Sequence, residues 1–559
     1  MYTCSKCTTQ FEITESDREF YRKVVPTFNE KHFAIPDPDL CPICRKKLRL
    51  AWRNLRNVYY RTCDFTGEKI MSCYDTDSPH KVYRGDIWWS DKWDPLEYER
   101  DYDFNRPFFE QWHELLLDVP VLDRYALLNE NCDFINGAAK CKNCYLSFNM
   151  DYCEDGLYIG EAKHTVSCVD SLSLVNCELC YECVDTERCY NLKYSERCVS
   201  CSDSYFLMDC RQCKNCIGCV NLVGKENYIF NKKSTPEEVQ RYKDAFKSRK
   251  YVEGFSEKFA AVSLQYPRKY YFGHTNENFS GNMIHHVKNS YECYDTFELE
   301  NCSYCYYVFR ANNCRDYDIF GDNSEWIYNC VATGVNCSYN ICCNGVWNAS
   351  SNNIYCFLMG GSSNNFGCSG LKHKQYCILN KQYSKEEYEK LVPKIIEHMQ
   401  KEGSWGRYFP REKSPYGYNE TMAHQFFPLS KEQAIAEGFT WKEHTDAGPK
   451  IDGIHIKQNV PDTIAQVTED MVKGKVFTCS ESGKPFKVIP QEFAFYKKNN
   501  IPLPAFHPEV RFTHRAARRN PPRLWERICA KCSAEIQTTY APEQPEIVYC
   551  EKCYLEAVY

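Results

Sequence analysis

Leu207-Met208-Asp209-Cys210-Arg211-Gln212-Cys213-Lys214-Asn215-Cys216-Ile217-Gly218-Cys219-Val220-Asn221-Leu222 decides how the middle of this chain is read. Cysteine returns as CxxCxxCxxC, the residues between are rich in Asn, Asp and Gly, and no apolar stripe of helical spacing is present. Working outward, Cys168, Cys189 and Cys210 stand 21 residues apart, as do Cys177, Cys198 and Cys219, and Cys180 and Cys201. A second block repeats the interval from Cys293 to Cys314 and from Cys356 to Cys377, with steps of 23 and 19 between them through Cys337. A fixed period in this range predicts stacked coils, and Tyr, Val, Ile and Asn between the anchors predict short strands joined by turns. The fold class expected is therefore mainly β: two parallel β-helix (solenoid) blocks of about 21 residues per coil.

Both blocks end alike. Cys219 is followed 11 residues later by Phe230-Asn231-Lys232, and Cys368 by Leu379-Asn380-Lys381 at the same distance. Thr235-Pro236-Glu237-Glu238 and Ser384-Lys385-Glu386-Glu387 then carry helix-start signals, so each block is expected to close under a capping helix.

The ends read differently. Cys4, Cys7, Cys41 and Cys44 form two CxxC pairs at the N-terminus, and Cys529, Cys532, Cys550 and Cys553 two more at the C-terminus. A CxxC turn offers two thiolates with the bite that tetrahedral zinc requires, and four protein ligands leave no position open, so each set predicts a structural Zn2+ site. The two ends also align as diverged copies. Phe11 to Lys23 matches Phe486 to Lys498, and Ala51-Trp52-Arg53 matches Ala517-Arg518-Arg519. Each end thus holds two modules, of which one keeps its ligands. Cys479, Ser482, His507 and Val510 occupy the ligand positions of a decayed set, as do Cys63, Thr66, Arg84 and Ile87. A helix is expected at Glu15 to Lys23.

Cys41-Pro42-Ile43-Cys44 runs into a segment in which Leu48, Trp52 and Leu55 mark an inner helical face. This resembles a treble-clef finger, in which the second ligand pair opens a helix. The outer face carries Arg45, Lys46, Lys47, Arg49, Arg53 and Arg56, and the C-terminal copy carries Arg511, Arg515, Arg518 and Arg519. Two readings stay open. The combs meet phosphate on RNA, DNA or the ribosome, or they are solvated or paired within the chain, for instance with Asp91, Asp94, Glu97, Glu99, Asp101 and Asp103.

FxIxxxDxxFYxK at 11–23, CPxCR at 41–45, WRNxR at 52–56 and the closing TTYAPEQPEIVYCEKCYLEAVY at 538–559 resemble a zinc-ribbon, Cys-rich repeat family of candidate-phyla-radiation bacteria (Patescibacteria). The resemblance covers the ends and the Cys-rich middle. It implies fold and origin and brings no activity with it.

The bulk numbers set limits. A chain of 559 residues predicts roughly three to five domains. The expected divisions are 1–62, a treble-clef-like zinc module; 63–128, a degenerate ribbon and Trp-rich cap; 129–250 and 251–402, the two blocks; 403–475, a linker with short helices such as Ser430 to Glu437; and 476–559, a degenerate module with a zinc ribbon. A net charge of −6, from 69 Lys and Arg against 75 Asp and Glu, argues against a chain that coats nucleic acid throughout. No apolar run could span a bilayer, mean hydropathy is −0.60, and the first residues lack the pattern of a signal peptide. The expected home is the cytoplasm, without a membrane partner. There the 37 cysteines read as metal ligands or small core residues sooner than as disulfides.

The thiols of the blocks could form a metal or redox centre, but successive inward positions filled by a small hydrophobe explain the spacing without one. Trp88, Trp89, Trp93, Phe108, Phe109 and Trp112 are expected over the open start of the first block. His274, His285 and His286 lack ligand spacing to any cysteine. No nucleophile elbow, phosphate loop or dinucleotide fingerprint is present, so no catalytic residue is assigned and a non-enzymatic binding protein is expected. Its partner would be nucleic acid or a ribonucleoprotein through the basic helices, or a protein or second copy through the Tyr-rich stretch Tyr291 to Tyr307.

Overall fold

The computed structural model describes residues 1–163, 172–175, 189–319, 321–443, 447–455 and 460–559. Cys168, Cys177 and Cys180, which carried part of the 21-residue columns, lie outside the described residues.

The unit of the middle is three residues. Arg197, Ser200, Asp203, Phe206, Asp209, Gln212 and Asn215 all hold φ between 48° and 54°, and Gly218 follows at 65°. Every third residue thus sits in the left-handed region and bends the chain, where Asn, Asp and Gly are tolerated best. The residue after each bend points inward. Cys210, Cys213, Cys216 and Cys219 are such residues, 0–1% exposed, and each thiol donates to the carbonyl two residues earlier at 3.2–3.4 Å.

Layers then stack in parallel at twelve-residue steps. Tyr205 pairs with Ile217 and Leu207 with Cys219; Asn136 pairs with Phe148 and Phe148 with Gly160. In the second block Phe297 pairs with Phe309, and one extra residue makes the step thirteen from Val331 to Asn344 and on to Phe357. The cysteines stack with Ile135, Leu192 and Leu207 in the first core and with Ile284, Val308 and Val346 in the second.

The expected fold class is corrected by these registers. The chain does not form β-helix blocks of 21-residue coils: the parallel strands fall into many small sheets, and 25% helix against 27% strand is not a mainly β protein. The interval of 21 is seven triplets and the true step four, so thiol columns 21 residues apart do not lie above one another.

The block ends are as alike as their sequences. Tyr228–Ile229 pairs antiparallel with Lys232–Lys233, and Cys377–Ile378 with Lys381–Gln382. At both hairpins the Asn stands in for a missing strand. Asn231 accepts from the Val220 N–H and donates to its carbonyl at 2.9 and 2.8 Å, and Asn380 does the same to Ser369 at 2.9 and 2.8 Å. The helices Pro236–Ala245 and Lys385–Glu402 follow, capped by Thr235 and Ser384. A further helix, Arg249–Ser263, leads to the second block.

Gly218, in the stretch quoted first, offers a local test. A Cβ there would stand 2.9 Å from Phe230 Cε1 on a backbone of φ 65°. Gly218→Ala is expected to destabilise by about 1–3 kcal/mol through left-handed strain and overpacking, read as a lower urea midpoint. An unchanged midpoint would contradict the triplet geometry.

Candidate metal centres and the helices they open

The N-terminal centre is built from two turns. Tyr2–Thr3 pairs with Gln10–Phe11, placing Cys4 and Cys7 on the connection, and Cys41 caps the helix Pro42–Leu50 so that Cys44 lies in its first turn. At the C-terminus, Trp525–Ile528 pairs with Glu535–Thr538 around Cys529 and Cys532, and Cys550 caps Glu551–Val558 with Cys553 in the first turn. In each set the four sulfurs lie within 4.8 Å of one another. Cys7 and Cys41 sulfurs are 3.6 Å apart, and Cys532 and Cys550 sulfurs 3.7 Å. A tetrahedron with Zn–S bonds of about 2.3 Å requires S···S of about 3.8 Å, so both sets fit the ion.

The electrostatics divide each set: Cys41 and Cys529 are drawn toward thiolate, while the hydrogen bond with Cys41 and burial push the Cys44 thiol well up and burial with its cysteine neighbours pushes Cys553 up to about 12. Hydrogen bonds from the Cys44 thiol and N–H and from the Cys7 thiol draw the Cys41 thiol down to about 7 against the effect of its burial. Burial raises the Cys529 thiol, but N–H groups of Cys550, Cys532 and Lys531 outweigh it and hold the thiol down to about 6. A helix N-terminus also favours an anion at its cap.

The decayed modules keep this frame without the ligands. The Arg84 N–H donates to Cys63 Sγ at 3.3 Å just as the Cys41 N–H donates to Cys4 Sγ at 3.3 Å. In the other module His507 turns Nδ1 to the Glu509 N–H at 3.1 Å and serves as a helix cap. Among the described residues no third ligand group is present; the His274 ring lies 4.5 and 5.2 Å from those of His285 and His286 between centroids, with Phe272 and Phe297 alongside rather than any cysteine.

None of the ten cations expected to meet phosphate is fully exposed. Arg45, Lys46, Arg49, Arg511 and Arg515 are buried, and Lys47, Arg53, Arg56, Arg518 and Arg519 are half-buried. Arg45 pairs with Asp316, Arg49 pairs with Asp318 and lies 3.3 Å from Asp316, and Lys46 sits 4.4 Å above the Tyr294 ring. Lys47 pairs with Glu437 at 2.5 Å, burial brings Arg53 down to about 10, and Arg56 stacks 3.5 Å over Phe512. Arg511 meets Glu492 at 3.2 Å, Arg518 meets Glu196 at 3.4 Å, and Arg519 pairs with Asp295. The acids these cations meet are Asp316, Asp318, Glu196 and Asp295 in the blocks, with Glu437 and Glu492 outside them, and none is among Asp91 to Asp103.

These contacts repeat across the duplication. Asp17 and Glu492 occupy equivalent positions, as do Arg45 and Arg511. Tyr304 of the second block donates to Asp17 at 2.9 Å with Arg45 5.1 Å over its ring. Tyr158 of the first block donates to Glu492 at 2.6 Å with Arg511 4.4 Å over its ring. The N-terminal module therefore docks on the later block and the decayed C-terminal module on the earlier one. Nothing in local spacing marks Tyr158 and Tyr304 as partners, though the alignment of Asp17 with Glu492 flags the acids.

The aromatic segment is likewise internal. Trp88, Trp112 and Phe108 are 0% exposed, with Phe108 against Phe366 and Trp89 against Trp347. It covers the far end of the second block, not the start of the first. Of Tyr291, Tyr294, Tyr304, Tyr306 and Tyr307, only Tyr291 is exposed; Arg45 and Lys46 of the N-terminal module cover Tyr304 and Tyr294, and Phe426 packs on Tyr306.

No family model matches the chain, and no curated protein does. A solved structure described as a "putative acetyltransferase" from Desulfovibrio desulfuricans G20 is 12% identical over 45% of this chain and 61% of that one. Its TM-score of 0.09 carries no argument about fold or activity. Among the described residues no helix is long and apolar enough to cross a membrane.

Proposed function

We propose that the chain is a non-catalytic zinc-binding scaffold, working in a reducing compartment, in which two structural Zn2+ ions hold the end modules against the cysteine-lined blocks. The convergence of four sulfurs at each end carries this reading, because a fully ligated zinc has no position for substrate. The burial of the helices that the ligands open adds to it: each zinc fixes the start of a helix or strand that the rest of the molecule grips.

Contact with RNA, DNA or the ribosome through the basic helices is not favoured, since none of those ten side chains is exposed. Filter binding to a mixed RNA and to duplex DNA is expected to show no association tighter than micromolar near 150 mM salt. Submicromolar binding that falls steeply with salt, and is lost in Arg56→Gln or Arg518→Gln, would restore that reading.

A further inference from the structure

A cavity of about 430 Å³ opens where the first block meets the helix Arg249–Ser263, the strand Arg268–Lys269 and the C-terminal zinc module. Its size is that of a small-ligand site, and none of the zinc-binding thiols lines it.

Its wall holds charge that the protein does not fully pair. Arg268 is 3% exposed, yet its Nη1 makes no hydrogen bond with the described residues. The nearest carboxylate oxygen in ion-pairing range, Asp209 Oδ2, is 4.0 Å away, and Asp209 is already engaged by Arg197 at 2.8 and 3.1 Å. Arg211, half-exposed on the same wall, ion-pairs with no acid among the described residues. Opposite in charge, Glu546 presents a buried Oε2 without a hydrogen-bond partner. Phe206, Phe259 and Tyr540 supply apolar faces. A buried guanidinium edge and a buried carboxylate oxygen left unpaired are each costly, which is the mark of a site completed by a ligand.

We propose that this cavity binds a small phosphorylated ring compound of nucleoside-monophosphate size. Its phosphate meets Arg268 and Arg211, its hydroxyl or amine hydrogens meet Glu546, and its ring lies on the aromatic faces. Arginine suits the phosphate because its fork offers parallel donors.

Isothermal titration of the full-length, zinc-loaded chain with adenosine monophosphate, adenosine and inorganic phosphate at fixed ionic strength tests this. Adenosine monophosphate is expected to saturate one site, with adenosine and phosphate each at least tenfold weaker. Arg211→Gln is expected to weaken adenosine monophosphate at least tenfold with Tm and zinc content unchanged, and Glu546→Gln to weaken it while leaving phosphate alone. Absence of saturable binding would overturn the proposal. So would equal affinity for phosphate, which would leave an anion cavity only, or unchanged binding in both variants, which would place the ligand elsewhere.

Discussion

Cys44→Ser is expected to reduce the chain from two bound zinc ions to one and to release the N-terminal module from the second block. A structural zinc contributes on the order of 10 kcal/mol at neutral pH, against about 5–15 kcal/mol for the net stability of a domain, so a module without its metal is unfolded. The loss is not local. Cys44 lies in the first turn of Pro42–Leu50, the helix that delivers Arg45 and Arg49 to Asp316 and Asp318. Limited trypsin digestion reads the change directly, because Arg45, Lys46 and Arg49 are buried in the intact chain. Rapid cleavage after these residues is expected in the variant and in the wild type after chelation. Unaltered digestion would mean that the helix is held without zinc. Cys550→Ser should act more weakly, since Val548 pairs with Arg268 and keeps part of the C-terminal module in place.

Arg49→Ala is expected to destabilise the protein by about 3–5 kcal/mol without changing its zinc content, the usual result of removing one partner from a buried ion pair. Arg49 and Asp318 are both 0% exposed, and Arg49 also donates to Asn329 at 2.7 Å. Burial pushes the Asp318 carboxyl up to about 6 even beside its guanidinium partner. The folded state therefore holds that proton more firmly than the unfolded state. The contribution of Asp318 is most favourable at low pH and declines as pH rises from about 4 through 6. Without Arg49 the folded pKa rises further, so the gap between variant and wild type should narrow as pH is lowered from 7 to 5. Urea unfolding at both pH values checks this; a gap that widens toward pH 5 would contradict the assignment.

His80 sets an opposite trend. Its ring is 3% exposed, Nδ1 lies 3.3 Å from the Leu116 carbonyl, and burial lowers its pKa to about 4. The unfolded state then binds the proton first. Stability is lost as pH falls from about 6.5 to about 4, by roughly 3 kcal/mol for the shift involved. His80→Phe should flatten that part of the acid-unfolding profile.

Features fixed by nearest neighbours were legible in the sequence. The helix at Glu15–Lys23, the caps at Thr235 and Ser384 and both Cys4 sets follow from contacts within a few residues or from ligand chemistry. The step between layers was not, for a physical reason. A triplet repeat places an inward residue at every third position, so any multiple of three aligns cysteine with cysteine, and only the pairing of backbones selects twelve. The thirteen-residue steps near Asn344 further disguise it. The fate of the basic helices was hidden for another reason. Asp316 lies 271 residues along the chain from Arg45, and Asp318 is similarly remote from Arg49. Spacing along the chain cannot tell a solvated comb from a docked one.

Metal content per chain tests the central claim most directly. Elemental analysis of the purified chain, normalised to amino-acid analysis, should give two zinc per chain, one in either Cys44→Ser or Cys550→Ser, and none when both are replaced. A wild-type content of one zinc or fewer, or stoichiometric iron, would contradict an account in which the thiols of the two Cys4 sets, and not those of the blocks, hold the metal.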